Sequence, residues 1–95
     1  MSLKRFAARS DANHRPITQA LLAAGVRVYP IAWPCDLLCI HKATAAPVFL
    51  EIKSSDKAKL TDAQLDLQAR IAGGYFYRVE TVEQALSAVG VVNAD

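Results

Sequence analysis

No apolar run in the chain approaches the roughly 20 residues that a bilayer span requires. Internal repeats and low-complexity tracts are also missing. The chain does not open with the charged, then apolar, then small-residue pattern of a secretory signal, so neither membrane insertion nor secretion is expected. Cysteine is scarce: Cys35 and Cys39 lie four apart in a segment that reads as a strand. At about 3.3 Å per residue they would sit about 13 Å apart, too far for a disulfide. Two thiols are also too few for a structural zinc site without further ligands, and a reducing, cytoplasmic setting is the expectation.

What the chain does have is enough apolar material for one core. Its 95 residues are 53% hydrophobic and 21% charged, which argues for a single folded domain and against disorder. A domain this small buries only about 60–65% of its unfolded surface, so its stability is modest and a partner subunit would help. The net charge of +2 hides an asymmetry. Residues 1–30 carry Lys4, Arg5, Arg9, Arg15 and Arg27 against the single acid Asp11. Residues 61–95 carry Arg70 and Arg78 against Asp62, Asp66, Glu80, Glu83 and Asp95. A basic front half fits a polyanionic partner, and a solvated surface fits it too.

Residues 1–10 read as a basic, loose arm. Ser10, Asp11 and Asn13 are candidate caps, Pro16 suits a first turn, and Ile17, Ala20, Leu21 and Ala24 then follow helical spacing up to a stop at Gly25. Val26–Ile31, Asp36–Lys42 and Val48–Lys53 read as three strands, the last two joined by a short Thr44-Ala45-Ala46-Pro47 turn into an antiparallel hairpin. Thr61 with Gln64 forms a capping box that opens a second helix to about Ala72, ended by Gly73-Gly74. Tyr75–Val79 reads as a fourth strand whose aromatic residues mostly fill the core, one face being open to a dimer contact. Thr81 with Gln84 forms a second box before a helix with Val82, Ala85, Leu86 and Val89 on one face. The order is α-β-β-β-α-β-α, and the crossover before the last strand requires a parallel pairing and hence a mixed sheet.

Charged residues at strand ends carry the chemistry. Glu51 and Lys53 are two apart and share a face, while Asp36 begins the preceding strand, so a hairpin brings all three to one rim. Two carboxylates suit Mg²⁺, a hard cation that takes oxygen ligands and keeps waters, and the Ile52 carbonyl supplies a further oxygen. Lys53 beside such a metal can orient a water or stabilise charge on a phosphate. Spacing alone leaves a second reading open, in which Glu51 and Lys53 are a same-face ion pair and Asp36 only a strand-entry residue.

Pro34-Cys35-Asp36, fourteen intervening residues and Glu51-Ile52-Lys53 resemble the PD-(D/E)XK nuclease signature. Arg9-Ser10-Asp11-Ala12-Asn13, Ala23-Ala24-Gly25, Asp36-Leu37-Leu38, Leu60-Thr61-x-x-Gln64 and Val82-Glu83-Gln84-Ala85-Leu86 extend the likeness over roughly residues 9–89. Together they resemble the small stand-alone VRR-NUC nucleases of phages and prophages. The resemblance implies a restriction-endonuclease-like three-layer α/β fold, a four-stranded mixed sheet flanked by helices. It implies Asp36, Glu51 and the Ile52 carbonyl as ligands of Mg²⁺ or Mn²⁺, Lys53 as the catalytic lysine and Gln64 as an auxiliary group. It also implies a homodimer that hydrolyses phosphodiesters in branched DNA such as Holliday junctions. Two departures stand out. His14 replaces the glutamate that the family carries on its first helix, and Cys35 intervenes where the family has glycine close to Pro-Asp. His14 raises the alternative of a catalytically impaired nucleic-acid-binding module, since histidine is a poor Mg²⁺ ligand.

The inward-facing stripe Leu60, Gln64, Leu67, Ile71 aims Gln64 at the interior, as a cap or as a contact to the lysine or a bound water. Arg9, Arg15, Lys57 and Lys59 are candidate phosphate contacts. His41 is expected to be a packed or surface strand residue, and Cys35 and Cys39 buried small hydrophobes. Tyr29 and Trp33 are able to stack on a base, with packing as the expected role. A small α/β interaction domain remains the third reading.

Overall fold

The computed structural model describes residues 13–41, 46–55, 57–71 and 75–91. Helix α1 (His14–Ala23) is followed by strands β1 (Val26–Pro30), β2 (Leu37–His41) and β3 (Pro47–Ile52). Helix α2 (Asp62–Arg70), strand β4 (Phe76–Val79) and helix α3 (Val82–Ala88) complete the expected order. The basic arm with Arg9, the cap candidates Ser10 and Asp11, and the Gly73-Gly74 stop lie outside the described residues. Among the described residues, no helix is long and apolar enough to cross a membrane.

The strands form one mixed sheet in the order β1-β2-β3-β4. β1 pairs antiparallel with β2 and β2 with β3, while β3 and β4 are parallel because α2 carries the chain back across the sheet. Alternation along the strands sends Val26, Leu37, Cys39, Val48, Leu50, Ile52 and Val79 to one face, where they meet Ile17 and Leu21 of α1 and Ala85 and Val89 next to or within α3. Complete burial of a leucine or isoleucine contributes about 1.5–3 kcal/mol, and this face supplies most of what holds the domain together. The opposite face carries the rung Tyr29, Leu38, Phe49 and Phe76, with Glu51 two residues beyond Phe49.

The helix ends follow their sequence signals with two exceptions. Gly25 closes α1 with φ +86°, a left-handed conformation that other residues adopt at a cost, and its N–H donates to the Leu22 carbonyl at 3.0 Å. Thr61 and Gln64 complete a reciprocal capping box on α2. At α3 only half of the second box forms: Thr81 accepts from the Gln84 N–H, but the Gln84 side chain takes the Glu80 N–H instead. Asn13 occupies the N-cap of α1 without a side-chain cap bond: its backbone is already helical and its Nδ2 donates to the Lys53 and Glu80 carbonyls.

Several expected core residues are not in the core. Of the β4 aromatics only Phe76 is buried; Tyr75 and Tyr77 are 43% and 37% exposed, because β4 is the edge of the sheet. In α2 only Gln64 is buried, Leu60, Leu67 and Ile71 being half-buried. This helix adds no residue to the main core cluster. Tyr29 and Trp33 are also exposed rather than packed.

Leu50, fully buried in the centre of the sheet, and Leu65, exposed on α2, therefore predict opposite outcomes. In urea unfolding, Leu50→Ala should lower stability by about 2–5 kcal/mol and Leu65→Ala by less than about 0.5 kcal/mol.

Candidate functional site

The pairing Leu37↔Leu50 puts Asp36, one residue before β2, next to Glu51 at the end of β3. The two segments are locked there by a 2.7 Å bond from the Ile52 N–H to Asp36 Oδ2. Asp36 Oδ1 lies 3.5 Å from His14 Nε2, which brings the first residue of α1 to the same rim. Glu51 is buried, and its Oε2 lies 3.1 Å from Lys53 Nζ. Asp36, Glu51 and Lys53 thus converge as the hairpin geometry predicts, and His14 joins them through its contact with Asp36. The Glu51–Lys53 contact is also what the ion-pair reading requires.

The two carboxylates have unlike environments. Burial pushes Glu51 above its ordinary value, the Asp36 charge pushes it further, and Lys53 offsets only part of this. Burial acts on Asp36 in the same direction, but hydrogen bonds from His14 and the Ile52 N–H outweigh it and hold Asp36 below its ordinary value. As the pH falls Glu51 takes the first proton, and Asp36 keeps its charge longest. Glu51 Oε1 is buried with no hydrogen-bond partner. An acceptor so placed is costly to leave empty and fits a cation or a donor supplied from outside the protein. Among the described residues, no group of three or more His, Cys, Asp or Glu is arranged to hold a metal ion. The acidic groups brought together at the rim are the two carboxylates of Asp36 and Glu51, the latter next to Ile52 in sequence.

Lys53 is fixed through its backbone. Its N–H donates to the Val79 carbonyl at 2.9 Å, and its own carbonyl accepts from Asn13 Nδ2 at 2.8 Å. The same Asn13 amide donates to the Glu80 carbonyl at 3.0 Å, so one side chain ties the ends of β3 and β4 together. Arg78 secures the loop that follows: Nε and one terminal nitrogen donate to the Ala58 carbonyl at 3.1 and 2.8 Å. It also bonds the Ser55 carbonyl and the Glu80 carboxylate. Asn13 was legible only as a cap and Arg78 not at all, although a cation beside Glu51 in the β3–β4 register was a signal.

Gln64 is buried as expected, but its bonds are to Thr61 and, through Nε2, to the Pro34 carbonyl at 2.9 Å. It ties α2 to the turn that delivers Asp36. The peptide bond Trp33–Pro34 in that turn is cis. Arg15, Lys57 and Lys59 are exposed, while Arg9 lies outside the described residues. Cys35 and Cys39 are buried free thiols. Burial pushes Cys35 up to about 12, helped by Glu51 and Asp36, and pushes Cys39 up to about 11.

Comparison with protein-family models, curated proteins and solved structures gives no match to the chain.

Two measurements check this geometry. Glu51, raised in the fold, withholds stability as pH rises from its unfolded value through its folded one; Asp36, lowered, withholds it as pH falls from its unfolded value toward its folded one. In metal-free buffer at pH 7.5, Glu51→Gln should therefore raise Tm and Asp36→Asn lower it. The Glu51→Gln gain should shrink as the pH falls toward the ordinary glutamate value, where the unfolded chain also begins to take up the proton. The second concerns the thiols. At pH 8 neither should react appreciably with a disulfide reagent until urea exposes them, whereupon both should titrate.

Proposed function

We propose that the chain is a metal-dependent endonuclease of the PD-(D/E)XK type with a restriction-endonuclease-like fold. The carrying observation is the rim itself: two carboxylates in contact distance of one lysine and one histidine, with the buried Glu51 Oε1 lacking any partner. Asp36, Glu51 and the Ile52 carbonyl would hold Mg²⁺ or Mn²⁺, and hard oxygen donors with a spare buried acceptor fit such a cation. Bound there, the cation would supply Lewis-acid stabilisation of phosphate charge and a more acidic water.

The chain's own residues do the rest. Lys53, its backbone held by Val79 and Asn13, presents an ammonium that can orient the attacking water and neutralise charge growing on the phosphate oxygens. Glu51 as a carboxylate keeps that ammonium in place. Gln64 acts as a positioning residue, fixing the Pro34 carbonyl two residues ahead of Asp36. The exposed Arg15, Lys57 and Lys59 offer phosphate contacts without sequence preference. Branched DNA is the proposed substrate, and a homodimer would set two such sites against two strands.

A second reading is favoured by the His14 contact, which engages an oxygen of Asp36. In it the chain binds nucleic acid without cutting it.

Cleavage of a labelled four-way junction, compared with linear duplex in Mg²⁺ and in Mn²⁺, decides between them. The wild type should cut the junction in at least one metal, and Lys53→Ala should lose roughly 10²–10³-fold in rate, the scale for losing one charge-stabilising group. Junction binding with no cutting in either metal would overturn the nuclease reading in favour of the binding module.

A further inference from the structure

We infer that Trp33 is a stacking platform for an unpaired nucleobase, which makes the rim selective for DNA whose bases lie outside the duplex stack. The inference rests on the nucleic-acid reading above and goes beyond it by naming the feature of the substrate that is recognised. Trp33 is the only tryptophan of the chain, and at 73% exposure it has no place in either packed face. A large ring left in water on a loose loop would be unremarked surface. This loop is not loose.

Its backbone is tied at each step. The Ile31 N–H donates to the Asp36 carbonyl at 3.0 Å, extending the β1–β2 ladder to the acid itself. The Trp33 N–H donates back to the Ile31 carbonyl at 2.8 Å. The Pro34 carbonyl is held by Gln64, and Cys35 is buried at 1% exposure. Ala32 takes φ +68°, a left-handed conformation that costs a residue with a Cβ about 1–2 kcal/mol and persists only where the surroundings impose it. The backbone that carries the indole is therefore a fixed frame, and that frame ends on Asp36. Little backbone ordering entropy remains to be lost when a flat partner settles on the ring.

The surroundings select the partner. Tyr29, also exposed, lies on the sheet face that carries Glu51, so a second aromatic flanks the same rim. Exposed Lys57 and Lys59 follow β3 and can track a phosphate backbone. Aromatic rings combined with cations near a backbone-cleaving centre match a single-stranded segment, since every base has a π-face and stacking is indifferent to sequence. An intact duplex hides those faces.

The single tryptophan makes the test direct. In EDTA, where no cutting occurs, its emission is followed while a single-stranded oligonucleotide, a four-way junction or a blunt duplex is added, with binding measured independently by anisotropy of labelled DNA. Single strand should quench the emission strongly and blunt duplex weakly. Trp33→Ala should weaken single-strand binding roughly 5- to 150-fold, equivalent to about 1–3 kcal/mol for one stacked base, and alter duplex binding by less than about 2-fold. Trp33→Phe should recover most of the loss, and the Tm of both variants should match wild type because the side chain is exposed. Single-strand binding without quenching, or unchanged in Trp33→Ala, overturns this inference and leaves the nuclease reading intact. Binding to no DNA of any form overturns both. Emission that responds to the concentration of the chain rather than to DNA assigns Trp33 to contact between copies and overturns the inference.

Discussion

The pairing of Leu37 with Leu50 is the constraint on which the rim depends. Strand side chains alternate with period two, so a slip of one residue in this register would send Leu50 out of the core and Glu51 into it. Burial of Leu37, Leu50 and Ile52 thus specifies the placement of residues that contribute little to burial themselves. The Ile52 N–H to Asp36 bond finishes the task at the strand ends, where ladder bonds run out. The acid pair is brought together by the core beneath it, against the repulsion of the two charges.

A small sheet has few spare contacts with which to fix its rim, and this chain uses polar side chains aimed at carbonyls. Asn13 spans the ends of β3 and β4, Arg78 holds two carbonyls of the following loop, and Gln64 holds the turn before Asp36. Each serves backbone groups that no ladder can reach. Asn13 makes these bonds from an N-cap position where its side chain caps nothing, and Gln84 gives up half a capping box to bind the Glu80 N–H. Local rules are broken where the chain ends of the central strands are being positioned, which is where a functional site would ask for it.

The same distinction explains what could be read before the fold was known. Hairpin geometry and period-two spacing predict the meeting of Asp36, Glu51 and Lys53, because both follow from local backbone geometry. Caps at Thr61 and Gly25 are equally local. Exposure of Trp33, Tyr75 and Tyr77 was not legible, since aromatic content says a residue can be buried but not whether an edge strand or a turn leaves it uncovered. The carbonyl partners of Asn13 and Arg78 lie 20 to 67 residues away in sequence, beyond any pattern of spacing. Gln64 was expected inside, and it is, yet its partner is the Pro34 carbonyl, which only the tertiary arrangement could supply.

The two open readings of Glu51 differ in what they ask of its second oxygen. A structural ion pair is satisfied once Lys53 is in place, and burying it gains little over apolar side chains of the same volume. It gives no reason to set Asp36 beside Glu51, where the like charge and the burial both push Glu51 toward its neutral form. Nor does it account for a buried oxygen with no partner. A cation between the two carboxylates, as proposed above, would offset the repulsion that raises Glu51. The unfavourable placement of Glu51 beside Asp36 is what the proposed metal site would explain and a lone ion pair would not.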